Sequence, residues 1–111
     1  MTRRLSSILL VLALVLSASM LYAADASWTG TISDSHCGAM HAKASKAAET
    51  CVEKCIKGGN SYVFVNGADS KVFKLDPADK AKGLGGHEVK VTGTLDGDTI
   101  HVTSIQASGK M

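Results

Sequence analysis

Arginine is almost absent from this 111-residue chain, and both arginines, Arg3 and Arg4, lie near its N-terminus. The remainder therefore lacks the side chain that most often binds phosphate or carboxylate groups in a bidentate manner. Beyond these two arginines the chain carries ten lysines against ten acidic residues, so it is close to neutral when its histidines are uncharged. A neutral domain offers no electrostatic attraction for a phosphate backbone, and we expect no nucleic-acid partner.

Several catalytic signatures are also missing. The sequence has no Ser-His-Asp order, no nucleotide-binding loop and no closely paired carboxylates. A c-type haem site requires Cys-x-x-Cys-His, and a thioredoxin-like site requires Cys-x-x-Cys. The closest cysteine pair, Cys51 and Cys55, has one intervening residue too many for either motif. These absences predict a protein that is not an enzyme.

Long apolar runs are limited to one segment near the N-terminus. Arg3 and Arg4 are followed by the apolar run from Ile8 to Leu16, and small residues precede a cleavage site near Ala23. This order is typical of a secretory signal peptide, and the apolar run is too short to span a membrane. We therefore expect residues 1–23 to be removed, and the mature protein to be periplasmic or secreted without stable membrane insertion.

Residues 24–111 are predicted to form one domain with five strands. "SWTGTISD" has the alternation of a half-buried strand, and "SYVFVNG" and "KVFKLD" form a hairpin around "NGADS". "HEVKVTGTL" and "DTIHVTSIQ" flank Asp96-Gly97, the strongest hairpin signal in the chain. A segment rich in Ala, Lys, Glu and Cys, about 38–58, interrupts the strand pattern and contains a predicted helix over 44–57.

Five strands with a short helical turn between the third and the fourth match a small five-stranded OB-like Greek-key barrel. The cysteine-bearing helix would then be inserted between strands 1 and 2, a connection that OB folds often use for ligands. The pattern does not decide whether Val63, Val65 and Val102 point into the barrel or away from it. Tyr62, Phe64 and Phe73 are expected inside the barrel. The predicted strand core comprises Trp28, Ile32, Val63, Val65, Val89, Val91, Leu95, Ile100, Val102 and Ile105.

Three stretches of the sequence, "WTGTISDSHCGAMH", "CVEKCIKGG" followed by "SYVFV", and "GHEVKVTGTLDGDTIHVTSI", together resemble a group of small exported bacterial proteins. These proteins carry a domain of unknown function. The resemblance covers essentially all of the mature chain, and its most specific part is the pairing of CG-x-x-H with C-x-x-x-C. It implies an exported domain with an OB-like fold and no established activity.

The chemistry of the chain is concentrated in Cys37, His41, Cys51 and Cys55. Cys51 and Cys55 are one helical turn apart, so their side chains lie on the same face of the helix and could coordinate one ion together. Cys37 and His41 repeat this spacing, and Asp34 is expected to cap the turn that carries them. Three thiolates and one imidazole are a tetrahedral structural zinc set without an open position for substrate.

Alternatives to zinc remain open at this cluster. An oxidising compartment favours a disulfide between Cys37 and Cys51 or Cys55, which would leave one spare thiol and a stapled scaffold for a protein or envelope ligand. The spare thiol also permits a minor redox role. Copper(I) would favour thiolate and thioether donors and would involve Met40 and His36, although a lone methionine beside a helix is more often a core residue. His87 and His101 are expected to be surface or hydrogen-bonded residues.

Overall fold

The computed structural model describes residues 25–108, so the predicted signal peptide, residues 1–23, lies outside the described residues. Short 3-10 turns at Gly38–His41 and Ala78–Ala81 accompany the longer elements. The strands and the α-helix are, in chain order, β1 (Ala26–Asp34), α1 (Lys46–Lys57), β2 (Tyr62–Asn66), β3 (Val72–Asp76), β4 (Glu88–Asp96) and β5 (Thr99–Ala107).

The five strands form one sheet that closes in a ring. Their order is β1-β2-β3-β5-β4, and β4 returns to pair with β1. β3 and β5 are parallel, whereas the other four pairs are antiparallel. The β4–β5 hairpin turns at Gly97 and Asp98, one residue later than the predicted Asp96-Gly97 turn. The predicted mainly-β fold with one helix between the first two strands is confirmed.

An apolar cluster from all five strands forms the core. Phe64, Ile32 and Ile100 are its largest fully buried side chains, and Tyr62 and Phe73 join it as expected for core aromatics. The prediction for Leu95 was wrong, because this side chain is 44% exposed beside the hairpin turn. Six of the predicted core residues are buried: Ile32, Val63, Val65, Val89, Val91 and Ile100. The other three are partly buried and pack against the cluster: Trp28, Val102 and Ile105.

A bulge in β5 explains how residues at both even and odd positions of this strand contact the same core. The pairing passes from Thr92 with Ser104 directly to Gly93 with Val102, which leaves Thr103 as an extra residue. Side chains alternate between faces along a strand, so one extra residue reverses the alternation beyond it. Val102 and Ile105, three positions apart, both pack against the core for this reason.

The segment between β1 and β2 covers the outer face of the ring. Thr31 and Ser33 were predicted on the solvent face of a half-buried strand, but they are 2% and 0% exposed, respectively. Their hydroxyls donate hydrogen bonds to the carbonyls of Ala42 at 3.3 Å and Gly38 at 2.8 Å. The prediction failed because the sequence pattern does not reveal that the inserted segment folds back over this face.

Helix α1 begins at Lys46, within two residues of the predicted start, and the Ser45 hydroxyl caps it by accepting from the backbone N–H of Ala48. Ala48 and Val52 form its buried face. The Glu49 carboxylate oxygen Oε1 lies 2.7 Å from Nε2 of His87, and this contact connects the helix to the loop before β4. The helix is therefore fixed against the ring by apolar packing on one face and a polar contact beside it.

Between residues 25 and 108, no helix is long and apolar enough to cross a membrane.

Candidate metal centre

The site begins where β1 ends. Asp34, the last residue of the strand, is fully buried. One of its carboxylate oxygens, Oδ1, accepts hydrogen bonds from the backbone N–H groups of His36 at 2.9 Å and Cys37 at 2.8 Å. Asp34 therefore stabilises the turn that directly follows β1, but the expected helical cap is not formed, because the 3-10 turn begins after Cys37 and has no side-chain cap. The turn it stabilises delivers Cys37 to the start of the 3-10 turn and His41 to its end.

The second half of the site comes from α1. Cys51 and Cys55 are one helical turn apart on a face adjacent to the buried Ala48 and Val52. Both cysteines are partly buried, as is Cys37. Because the helix packs against the ring through its apolar face, the neighbouring cysteine face is directed along the surface of the ring toward the turn after β1.

The structure brings the predicted residues together in two overlapping groups rather than one. Cys37, His41 and Cys51 form the first group, and Asp34, Cys37 and Cys55 form the second. Within each group the ligand atoms lie within 4.8 Å of one another. Cys37 belongs to both groups. Among residues 25–108, no single group joins all four predicted ligands at this spacing.

Two buried polar atoms at the site have no hydrogen-bond partner within the described part of the chain. They are Nε2 of His41 and the second carboxylate oxygen, Oδ2, of Asp34. Buried polar groups are nearly always paired in folded proteins, since an unpaired one costs free energy on folding. His41 belongs to the first group of ligand residues, and Asp34 belongs to the second.

The surroundings disfavour ionised thiols. Partial burial, the Asp34 carboxylate and the neighbouring thiols raise the pKa of Cys37 to about 12. Partial burial and Asp34 also raise the pKa of Cys55 above its usual value. Reactive cysteines usually have a lowered pKa, at a helix N-terminus or beside a cation, and a bound metal ion deprotonates a thiol outright. Without an ion, the protonated form of the Cys37 and Cys55 thiols is therefore favoured at neutral pH.

The other residues considered from the sequence lie apart from the two groups. Met40 is 82% exposed, so the expectation that it belongs to the core was wrong, and His36 is also exposed. His87 contacts Glu49, and His101 lies beside Asp76 at 3.1 Å, in agreement with their predicted roles as surface or hydrogen-bonded residues. Asp34 was considered as a cap but was not predicted as a possible metal ligand, although its short spacing to Cys37 could have indicated that role.

Comparison with known proteins gives one match. A family model described as "Protein of unknown function (DUF5818)" matches residues 56–108, slightly less than half of the chain. The match begins directly after Cys55 and extends from the last turn of α1 through β5. It agrees with the resemblance to a family of unknown function over this stretch, which contains strands β2 to β5 but none of the cysteines. No curated protein and no solved structure matches the chain significantly.

Proposed function

We propose that this protein is an exported, non-enzymatic binding module for a transition metal, with zinc as the preferred ion and copper(I) as the second choice. Cys37, His41, Cys51 and Cys55 are the proposed ligands. The observation that carries this proposal is His41, whose Nε2 is buried without a hydrogen-bond partner among the described residues. One ring nitrogen of the same imidazole lies within 4.8 Å of the thiols of Cys37 and Cys51. A metal ion would supply the missing partner of Nε2.

The spacing of the donors fits an ion after small side-chain adjustments. Zinc–sulfur bonds of about 2.3 Å in a tetrahedral site place two sulfur atoms roughly 3.8 Å apart. The donors within each group are separated by at most 4.8 Å, so each group needs to contract by about 1 Å at most. Cys55 would complete the first group from the next turn of α1, where it is already close to Cys37.

The raised pKa values disfavour a catalytic cysteine in the metal-free protein, and a metal ion would displace the same protons on binding. The raised pKa values of Cys37 and Cys55 oppose the thiolate that a nucleophilic or redox cysteine needs at neutral pH. Cys51 and Cys55 also lie in the interior and last turns of α1, away from the N-terminal end that stabilises a thiolate. A closed set of four protein ligands is, in addition, the arrangement of a structural zinc site.

We further infer that the closed ring is an OB-type Greek-key barrel. The strand order β1-β2-β3-β5-β4 with closure between β4 and β1 supports this assignment, as does the short 3-10 turn between β3 and β4. The metal cluster would then occupy the connection between strands 1 and 2, which OB folds commonly use for binding.

A stapled scaffold is the second candidate, and the position of Cys37 favours it specifically. Its thiol lies within 4.8 Å of the thiols of both Cys51 and Cys55, so either pair could be joined in an oxidising compartment. The ligand of such a scaffold would be a protein or envelope component. A groove of about 490 Å³, lined by Glu53, Ile56, Tyr62, Asp79, Lys82 and Gly83, offers it a binding surface.

Native mass spectrometry of the protein purified from its own compartment, together with thiol titration, separates the two candidates. We expect a mass increase of one zinc or copper ion and three thiols that react only after a chelator is added. A mass lower than that of the reduced chain by two hydrogen atoms, with one freely reactive thiol and no metal, would instead establish the stapled scaffold and reject the metal module.

A further inference from the structure

Asp34 occupies an unusual position for an aspartate. Its side chain is fully buried, and only one of its two oxygens is used by the protein. Oδ1 accepts both backbone hydrogen bonds of the turn, whereas Oδ2 has no partner among residues 25–108. The ion pairs formed within this range do not involve Asp34 either.

Capping alone does not explain an aspartate at this position. An asparagine presents the same carbonyl-type acceptor to the two N–H groups and carries no charge into the interior. A buried carboxylate without a cationic partner is costly, because burial disfavours its charged form. The second oxygen is therefore a feature that the turn does not need, and one carboxylate oxygen of Asp34 lies within 4.8 Å of the thiols of Cys37 and Cys55.

We propose that Asp34 is itself a ligand of the metal ion, bound through Oδ2 on the side of Cys37 and Cys55. This inference rests on the proposed function and adds an oxygen donor to the sulfur and nitrogen donors described above. Aspartate is an established zinc ligand, and zinc, which usually holds four donors, can expand its coordination to five. Because Asp34 lies at the end of β1, the ring itself fixes the position of this ligand.

The oxygen donor also determines which ion the site prefers. Carboxylates suit divalent ions such as zinc, whereas copper(I) is selected by soft sulfur ligands. A carboxylate beside the thiols of Cys37 and Cys55 therefore favours zinc over copper(I). Removing it should weaken the zinc complex and leave the copper(I) complex, which depends on the thiolates, nearly unchanged.

Asp34→Asn tests this directly, because asparagine retains the acceptor for the N–H groups of His36 and Cys37. The matched control is Asp69→Asn, since Asp69 Oδ1 accepts a similar turn hydrogen bond from the N–H of Lys71 at 2.9 Å on the exposed surface. Zn²⁺ and Cu⁺ affinities of the reduced, metal-free proteins would be measured by competition with chromophoric chelators. For Asp34→Asn we expect zinc affinity to fall by more than about 100-fold, beyond the about 10- to 100-fold loss that is typical of an outer-shell partner. We expect copper(I) affinity to change by less than about threefold.

Three other outcomes have distinct meanings. Equal losses of Zn²⁺ and Cu⁺ affinity would show that Asp34 only positions Cys37, and this would overturn the inference. If Asp34→Asn bound zinc as tightly as the wild type, this inference would also be overturned. The proposed function would stand in that case, because the wild type would still bind zinc. A wild-type protein that binds neither ion would reject the proposed function together with the inference. Thermal unfolding of the metal-free variants checks folding, and we expect Asp34→Asn to melt no lower than the wild type.

Discussion

The ring of strands and the segment inserted between β1 and β2 are stabilised in different ways. The ring contains an apolar cluster in which Ile32, Phe64, Val89, Val91 and Ile100 are completely buried. The inserted segment contributes Ala48 and Val52 to burial, but its 3-10 turn has no buried residue and is attached mainly by hydrogen bonds. Its remaining interior consists of thiols and an imidazole, which lie beside the Asp34 carboxylate at the end of β1.

This difference separates the residues that specify the fold from those that carry the chemistry. The burial of large apolar side chains supplies most of the free energy of folding, so the ring does not need an ion. The insertion has little apolar surface to bury, and it holds one unpaired polar atom, on His41, while the other lies beside it on Asp34 at the end of β1. The insertion therefore gains the most from a cross-link or a metal. The predictions below treat the two regions as separable.

The largest effect is expected in the ring. Phe64→Ala removes a fully buried aromatic side chain and should lower the free energy of unfolding by about 3–5 kcal/mol. Leu95→Ala is the control, because this side chain is 44% exposed, and it should cost below about 1 kcal/mol. Both costs, measured by urea unfolding, should be the same with and without zinc. A larger cost for Leu95→Ala than for Phe64→Ala would show that the core is assigned incorrectly.

The next effect concerns the cysteines. Cys51→Ser and Cys55→Ser should each abolish most of the stabilisation that zinc provides, which is about 2.7 kcal/mol at a zinc concentration 100 times the dissociation constant. Cys37→Ser should be at least as severe, because Cys37 belongs to both groups of donors. Thermal melts of the three variants with and without a chelator measure this directly.

The stapled scaffold predicts a different pattern for the same variants. Cys37→Ser and one helical variant would lower stability by about 2–5 kcal/mol, since each removes the cross-link. The other helical variant would be harmless, because it only deletes a spare thiol. A wild-type melting temperature that does not respond to the chelator, combined with this unequal pattern, would reject the metal module.

A smaller effect tests the connection between the two regions. Ser33→Ala removes the 2.8 Å hydrogen bond to the carbonyl of Gly38, and should cost about 1–2 kcal/mol because the site is buried. It should also weaken zinc binding, since the turn that carries Cys37 and His41 is loosened. Ser27→Ala is the matched control, because its hydroxyl bonds to Thr92 at an exposed position of the same strand. If both variants bound zinc as the wild type does, the turn would not depend on β1 for its geometry.

The smallest effect is a pH dependence at the edge of the insertion. Burial and the hydrogen bonds to the Glu53 carboxylate raise the pKa of Tyr62 above its usual value of about 10. The folded state therefore retains this proton to higher pH than the unfolded state. The stabilisation by neutral Tyr62 is fully present below about pH 10 and is lost as the pH rises toward the folded pKa.

Tyrosinate absorbance measures this pKa without interference, because Tyr62 is the only tyrosine once residues 1–23 are removed. Glu53→Gln should shift the absorbance titration toward lower pH, because it removes the neighbouring negative charge. A titration midpoint that is the same in both proteins, or that lies below the usual value in the wild type, would contradict the contact between Tyr62 and Glu53.

Local patterns in the sequence predicted the strands and the helix, but not their contacts across the ring. The turn after Asp96 and the end of the helix at Lys57 are determined by residues that are close in sequence, so local patterns predicted their positions to within one residue. The burial of Thr31 and Ser33 depends on a segment that folds back over them, and no strand pattern contains that information. Ile105 was predicted in the core and packs against it, but the bulge at Thr103 that turns it inward was not predicted.

The candidate site was predicted in composition but not in arrangement. Helical spacing placed Cys51 and Cys55 on one face, as expected. The division of the donors into two groups around Cys37 arises from where β1 ends relative to α1, a property of the packed molecule. Asp34 was interpreted only as a cap, because its second oxygen acquires meaning only when the strand end is buried beneath the helix.

Closure of the ring between β1 and β4 has a consequence for the order of folding. Ala26 pairs with Gly93, so the chain must form a contact between distant residues before the ring is complete. Such non-local contacts slow folding, because the entropy of loop closure opposes them. Asp34 and Cys55, by contrast, enclose a short stretch of chain. We therefore expect the donor cluster to be able to assemble while the chain is still open, so that an ion present during folding would organise β1 and α1 before the last strands arrive.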